Sequence, residues 1–253
     1  MAPMTWAVDL DGVLWRGDTP IPGSAAAVAR LRDLGHRVVF LTNNSNDPVA
    51  AYIAKLAAAG VPAHADDLVT SAQAAASLLE PGTTALVCAG PGVVEALGER
   101  GVEPREHGRA DAVVVGWHRE FDYGRLTEAA AAVRAGARLI GTNDDATYPT
   151  PEGEIPGGGA LLAAVAYASS AEPDVAGKPH GAMVGLVADR VGPVEVMVGD
   201  RPSTDGLLAR KMGARFALVL SGVTTAADLP VDPEPDAVGD DLAAVVADAF
   251  GPS

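Results

Sequence analysis

Short runs of β-branched and other apolar residues recur along the chain, each followed by an Ala-rich segment with helical spacing. This alternation is the strongest constraint on the fold. Strands buried on both faces read as continuous apolar runs, and parallel neighbours need a crossover between them, so the pattern predicts βα units around a parallel sheet. Strands are expected at Thr5–Val8, His36–Leu41, Thr84–Ala89, Ala112–Gly116, Ala137–Gly141, Val194–Val198 and Phe216–Leu220. Helices are expected at Ser24–Leu34, from Pro48 to Gly60 behind an Asp47 cap, and at Val93–Arg100, Tyr123–Ala135, Gly157–Ser169, His180–Val191 and Ser203–Met212. The stretch Asp228–Asp241, crowded with Pro and Asp, reads as a loop before a last helix to Phe250. A doubly wound sheet of this kind places its ligand crevice at the carboxyl ends of its strands.

Three of the strands run into polar residues at those ends. They are Asp9-Leu10-Asp11-Gly12, Thr42-Asn43-Asn44-Ser45, and Gly199-Asp200-Arg201 with Asp205 a turn beyond. Converging on one crevice, Asp9, Asp11, Asp200 and Asp205 would crowd four carboxylates together. Two unit charges about 4 Å apart repel by roughly 4 kcal/mol at an effective dielectric of 20. A hard divalent cation relieves that repulsion, and oxygen donors without His or Cys favour Mg²⁺ over Zn²⁺. Lys178, in Gly177-Lys178-Pro179 ahead of a helix, offers a second positive charge.

The chain of 253 residues carries 18 Lys and Arg against 33 Asp and Glu, a net charge of −15. That field repels phosphate backbones and anionic lipid, so neither a nucleic acid nor a membrane surface is an expected partner. A small anionic substrate then requires a local cation. The single cysteine, Cys88, excludes an intrachain disulfide and a multi-cysteine metal site, and reads as a buried hydrophobe. No secretory signal or run of roughly 18 to 20 apolar residues is visible, so a cytoplasmic protein is expected. Gly90-Pro91-Gly92 looks like a dinucleotide-binding turn but lacks a third glycine, so no nucleotide cofactor is expected.

Taken together and in this order, these segments resemble the haloacid dehalogenase superfamily of phosphohydrolases. The likeness is to its subfamily of acid-sugar, p-nitrophenyl phosphate, phosphoglycolate and pyridoxal phosphate phosphatases. The matches run from Asp9-Leu10-Asp11-Gly12-Val13-Leu14 and Leu41-Thr42-Asn43-Asn44-Ser45 through Gly141-Thr142-Asn143, Asp145-Ala146-Thr147-Tyr148-Pro149 and Ile155-Pro156-Gly157. They continue in Gly177-Lys178-Pro179, Val198-Gly199-Asp200-Arg201, Thr204-Asp205 and Ser221-Gly222-Val223-Thr224-Thr225.

The resemblance implies a Mg²⁺-dependent phosphomonoesterase acting on a small phosphorylated metabolite. Asp9 would be the nucleophile and Asp11 the general acid and base. Asp9, the Asp11 backbone carbonyl and Asp200 would ligate the metal, with Asp205 acting through water. Thr42, Asn43, Asn44 and Lys178 would hold the phosphoryl oxygens. It also implies a Rossmann-like core, residues 1–80 and 174–253, with an inserted α/β cap, residues 81–173, since the interval from Thr42 to Lys178 is too long for two core units alone. The resemblance further implies a homodimer formed through the cap. Trp117, His118 and Tyr148 fall where cap residues face the leaving group. Pro202-Ser203 stands where many relatives carry Leu-Asp, one carboxylate fewer near the metal. Two other readings fit an acidic cluster with a Thr and a Lys: a phospho-acceptor signalling module, and a metabolite-binding protein with vestigial catalysis.

Overall fold

A computed structural model of the chain describes residues 2–150 and 153–250. The chain divides into two compact units, one formed by residues 1–42, 52–69 and 184–253, the other by residues 43–51 and 70–183.

The first unit is built on a six-stranded sheet in the order Ala237–Gly239, Arg215–Val219, Val196–Gly199, Thr5–Asp9, Arg37–Thr42, Leu68–Thr70. The strand Thr5–Asp9 is parallel to both neighbours, with Val8 opposite Val198 and Asp9 opposite Leu41. From this strand the chain moves outward on one side, then returns to build the other. The switch point therefore lies between Thr5–Asp9 and Val196–Gly199, where a doubly wound sheet opens its ligand crevice. The strand interiors are apolar on both faces, with Val39, Phe40, Leu41, Val198 and Leu218 fully buried.

The second unit carries a five-stranded parallel sheet in the order Asp174–Val175, Arg138–Gly141, Ala112–Val115, Thr84–Cys88, Glu103–Arg105. The fold is thus α/β, a doubly wound parallel sheet with a second α/β unit inserted in its sequence. Helices Tyr123–Arg134 and Gly158–Ser169 supply Ala129, Val133, Leu162 and Val165 to a core shared with Leu86, Cys88, Val113 and Leu139. Burial pushes the Cys88 thiol up to about 12, with Arg125 opposing and Glu128 adding to the shift. The thiolate is the reactive form, so iodoacetamide at pH 8 is expected to leave Cys88 unmodified in the folded protein and to alkylate it in urea. Mass spectrometry of the labelled peptide reads the difference, and labelling of the folded chain at the unfolded rate would contradict this burial.

Several elements differ from the sequence expectation. Ala237–Gly239 is an edge strand inside the Pro- and Asp-rich tail, because pairing with Arg215–Val219 outweighs its poor local propensity. The expected helix from Ser203 begins instead as a π-helical turn, Pro202–Gly206, before the α-helix Leu207–Met212. The helix near Pro48 starts at Val49, whose N–H donates to the Glu95 carboxylate at 2.7 Å, while Asp47 accepts from the Asn46 side chain. The helix Ser71–Ser77 is opened by a Thr70–Gln73 capping box, a signature present in the sequence. His36 is 5% exposed, and its Nδ1 accepts the Met4 N–H.

Candidate active site

In the first unit, Asp9 ends its strand, Asp200 follows the adjacent strand, and Asp205 rides the π-helical turn Pro202–Gly206. Among the described residues these three carboxylates form a group whose ligand oxygens all lie within 4.8 Å of one another. They are 8%, 3% and 0% exposed. The Val223 N–H donates to Asp200 Oδ2 at 2.6 Å, and the Arg201 N–H donates to Asp205 Oδ2 at 3.1 Å. Backbone donors hold the carboxylates in place but leave their mutual repulsion, which a bound cation would offset. Three hard, buried oxygen donors without His or Cys suit Mg²⁺ or Ca²⁺.

Glycines make the space for these side chains. A Cβ at Gly222 would lie 1.9 Å from Asp200 Oδ2, one at Gly12 2.3 Å from the same atom, and one at Gly199 2.2 Å from Asp205 Cγ. Gly12 also has φ +80°, which disfavours a side chain independently. Its lack of a Cβ thus admits Asp200, a role its position three residues after Asp9 did not suggest. Ser221 Oγ donates to Gly12 O at 2.7 Å, and Arg16 Nε donates to Ser221 O, tying the two glycine loops together.

Asp11 stands outside the three-carboxylate group. The strand ends at Asp9, and a bend at Leu10 is followed by a turn closed by Gly12 N–H donating to Trp15 O at 2.8 Å. The Asp11 carboxylate accepts the Trp15 indole N–H at 3.0 Å. Thr42, 1% exposed, ends the strand on the other side of Asp9. Ser203, where relatives carry a further Asp, is exposed, while Asp205 is buried.

In the second unit, Asn43 clamps Lys178. Its Oδ1 accepts the Lys178 N–H at 2.7 Å, and its Nδ2 donates to Lys178 O at 3.0 Å and to Asp145 Oδ2 at 3.1 Å. Ser71 Oγ and Asn143 Nδ2 donate to Asn43 O at 2.6 and 2.8 Å. Gly177 admits the clamp, since a Cβ there would lie 2.5 Å from Asn43 Oδ1. Lys178 is 2% exposed. Asn44 Oδ1 accepts the Asn46 N–H at 3.0 Å, a local turn bond. Gly90 and Gly92 accommodate this loop: their Cβ atoms would meet Asn46 O at 2.6 Å and Asp47 O at 2.2 Å.

Further along the same unit, the Trp117 and Tyr148 rings stack at 5.4 Å between centroids, with the Arg119 guanidinium 5.7 Å from the Trp117 centroid. His118 turns away from that pair, with Nδ1 3.2 Å from Gly116 O and its ring edge-on to Phe121. Arg119, Asn143 and Asp145 were not among the expected site residues. Of these, Asp145 and Asn143 sit in segments whose motifs were visible, but their link to Asn43 spans about a hundred residues of sequence.

A buried acidic group at the switch point of a parallel sheet suits a hydrolase, and the chain belongs to the haloacid dehalogenase-like hydrolases. The profile described as haloacid dehalogenase-like hydrolase matches residues 6–103, and a second, described as a haloacid dehalogenase hydrolase-like profile, matches residues 175–245. Within the family it is a phosphoric monoester hydrolase, as its curated relatives are. It is 38% identical over 231 residues to D-glycerol 3-phosphate phosphatase of Mycobacterium tuberculosis, an alignment covering 87% of this chain and 64% of that protein. The chain thus spans a little under two thirds of that relative. It is 35% identical to human glycerol-3-phosphate phosphatase, covering 92% of this chain and 84% of that one. The crystal structure of a glycerol phosphate phosphatase from Mycobacterium tuberculosis in complex with magnesium superposes with a TM-score of 0.88 at 34% identity, covering 95% of this chain and 75% of that one. The same enzyme has also been crystallised with calcium. Among the described residues, no helix is long and apolar enough to cross a membrane.

Proposed function

We propose that this chain is a Mg²⁺-dependent phosphatase of small phosphorylated metabolites that works through an aspartyl phosphate on Asp9. The observation that carries the reading is the buried group Asp9, Asp200 and Asp205, with ligand oxygens within 4.8 Å at the sheet's switch point. Asp9 and Asp200, the Asp11 backbone carbonyl, and Asp205 through water, would hold the ion. When bound, Mg²⁺ supplies charge compensation for the phosphoryl oxygens and keeps Asp9 ionised.

The remaining steps fall to the chain's own groups. An Asp9 carboxylate oxygen attacks phosphorus as the ester P–O bond breaks, and Asp11 gives its proton to the departing alkoxide. Asp11 then takes a proton from the water that attacks the aspartyl phosphate, and inorganic phosphate leaves with Asp9 restored. The Thr42 hydroxyl and the Asn43 N–H donate to phosphoryl oxygens, with Asn44 beside them, and Lys178 offsets negative charge. The Asn43 side chain serves Lys178 instead, fixing the backbone from which the ammonium extends. The inserted unit would exclude water and select the ester, with the stacked Trp117 and Tyr148 as its aromatic contact surface and His118 close by in sequence.

The test is phosphate release from a panel of esters with and without Mg²⁺, beginning with glycerol 3-phosphate because two relatives carry that name. Turnover that EDTA abolishes and Mg²⁺ restores is expected. A folded, Mg²⁺-loaded protein inert across the panel would overturn the reading. A long-lived phosphoryl adduct without turnover would favour a phospho-acceptor module.

A further inference from the structure

We infer that Trp15 is the positioning residue for the Asp11 carboxyl, held in turn by Lys55; the inference rests on the phosphatase reading above. Trp15 is 1% exposed, and its indole N–H meets Asp11 Oδ1 at 3.0 Å. The Lys55 ammonium lies 4.6 Å from the centroid of the Trp15 ring and donates to Gly17 O at 2.8 Å, with Asp18 Oδ1 3.5 Å away. The ring is therefore fixed by burial and by the cation over its face, a lysine itself tied to the loop that follows.

The chemistry of the donor makes this arrangement useful. A carboxyl beyond a strand end, on a turn, rotates about its terminal torsion at little cost. An indole N–H donates and cannot accept, so it keeps its bond to Oδ1 through both halves of a reaction. The proton that Asp11 gives and takes is then confined to Oδ2. An aromatic residue that merely filled space would not need its N–H aimed at that carboxylate.

The test removes the N–H. Trp15→Phe, loaded with Mg²⁺, is expected to lower kcat/KM for glycerol 3-phosphate about tenfold to a hundredfold, part of the roughly 10²–10⁴ that a positioned proton donor supplies. For p-nitrophenyl phosphate, whose phenolate departs without needing a proton, the fall is expected to stay within about threefold. In an Asp11→Asn background the substitution should cost nothing further, because the two residues act as one unit. Should Trp15→Phe fail to fold, benzothienylalanine placed at position 15 keeps the ring shape without the N–H. Lys55→Met, which loosens the ring and leaves the N–H, should give a smaller fall of the same ester dependence. An equal fall on both esters, or the same cost with and without the Asp11 carboxyl, overturns the inference. A parent inert towards both esters overturns the phosphatase reading, and the inference with it.

Discussion

Asp9→Asn is expected to reduce phosphate release by on the order of 10⁴-fold or more, because the amide oxygen is a poor nucleophile and no neighbouring group replaces it. The loss should be the same for p-nitrophenyl phosphate as for an alkyl ester, since attack on phosphorus fails before the leaving group matters. Excess Mg²⁺ should not restore activity. The variant is expected to fold, since Asn is nearly isosteric with Asp and the strand Thr5–Asp9 is paired on both sides. It should show a smaller rise in Tm on adding Mg²⁺, having lost one of the three buried carboxylates that would hold the ion. Parent protein quenched during turnover should carry phosphoryl on the peptide containing Asp9. Retention of a tenth of the parent rate by Asp9→Asn would rule out Asp9 as the nucleophile.

Gly222→Ala is expected to be strongly damaging although it touches no reacting atom. The added carbon would sit 1.9 Å from Asp200 Oδ2 and 2.4 Å from its Cγ, where real contacts stay beyond about 3 Å. Either the carboxylate or the loop 221–223 must move, and the loop supplies the Val223 N–H that holds Asp200. Overpacking of this kind costs roughly 1–3 kcal/mol in stability. Displacing a metal ligand should cost more in activity than the roughly tenfold to hundredfold seen when a ligand's supporting contacts are lost. A fall of at least a hundredfold is expected, together with loss of Mg²⁺ stabilisation, which in the parent should reach about 2.7 kcal/mol at a hundredfold excess over Kd. Gly35→Ala is the control: its φ of +83° imposes strain, but nothing lies within 4 Å of the added carbon. It should lower Tm and leave kcat unchanged. Calorimetry with Mg²⁺ and steady-state kinetics separate the two variants, and full Mg²⁺ binding by folded Gly222→Ala would show that Asp200 can yield without loss.

The sheet and its polar strand ends were legible because local signals carry them. Apolar runs mark buried strands, and Asp9, Thr42 and Asp200 interrupt such runs where nothing apolar is required. The edge strand Ala237–Gly239 was not legible, because a neighbouring strand rather than its own residues makes it a strand. The Asp11–Trp15 bond was hidden because it depends on the turn at Gly12, which folds the chain back onto Trp15. The Asn43 clamp on Lys178 joins residues 135 positions apart, and nothing in Thr-Asn-Asn-Ser shows that one amide serves a lysine while its neighbour closes a local turn. The glycines around Asp200 read as ordinary turn residues until a methyl group is placed on each.

That crowding has a practical corollary for anyone altering this enzyme. Around Asp200 and Asp205 there is no room for even one more carbon at Gly12, Gly199 or Gly222, so a mutant library aimed there would yield mostly dead clones. Diversity directed at Trp117 and Tyr148, each half-buried and stacked on the other, leaves the acidic residues untouched. New ester preferences are best sought at those two positions, with the reaction itself left as it stands.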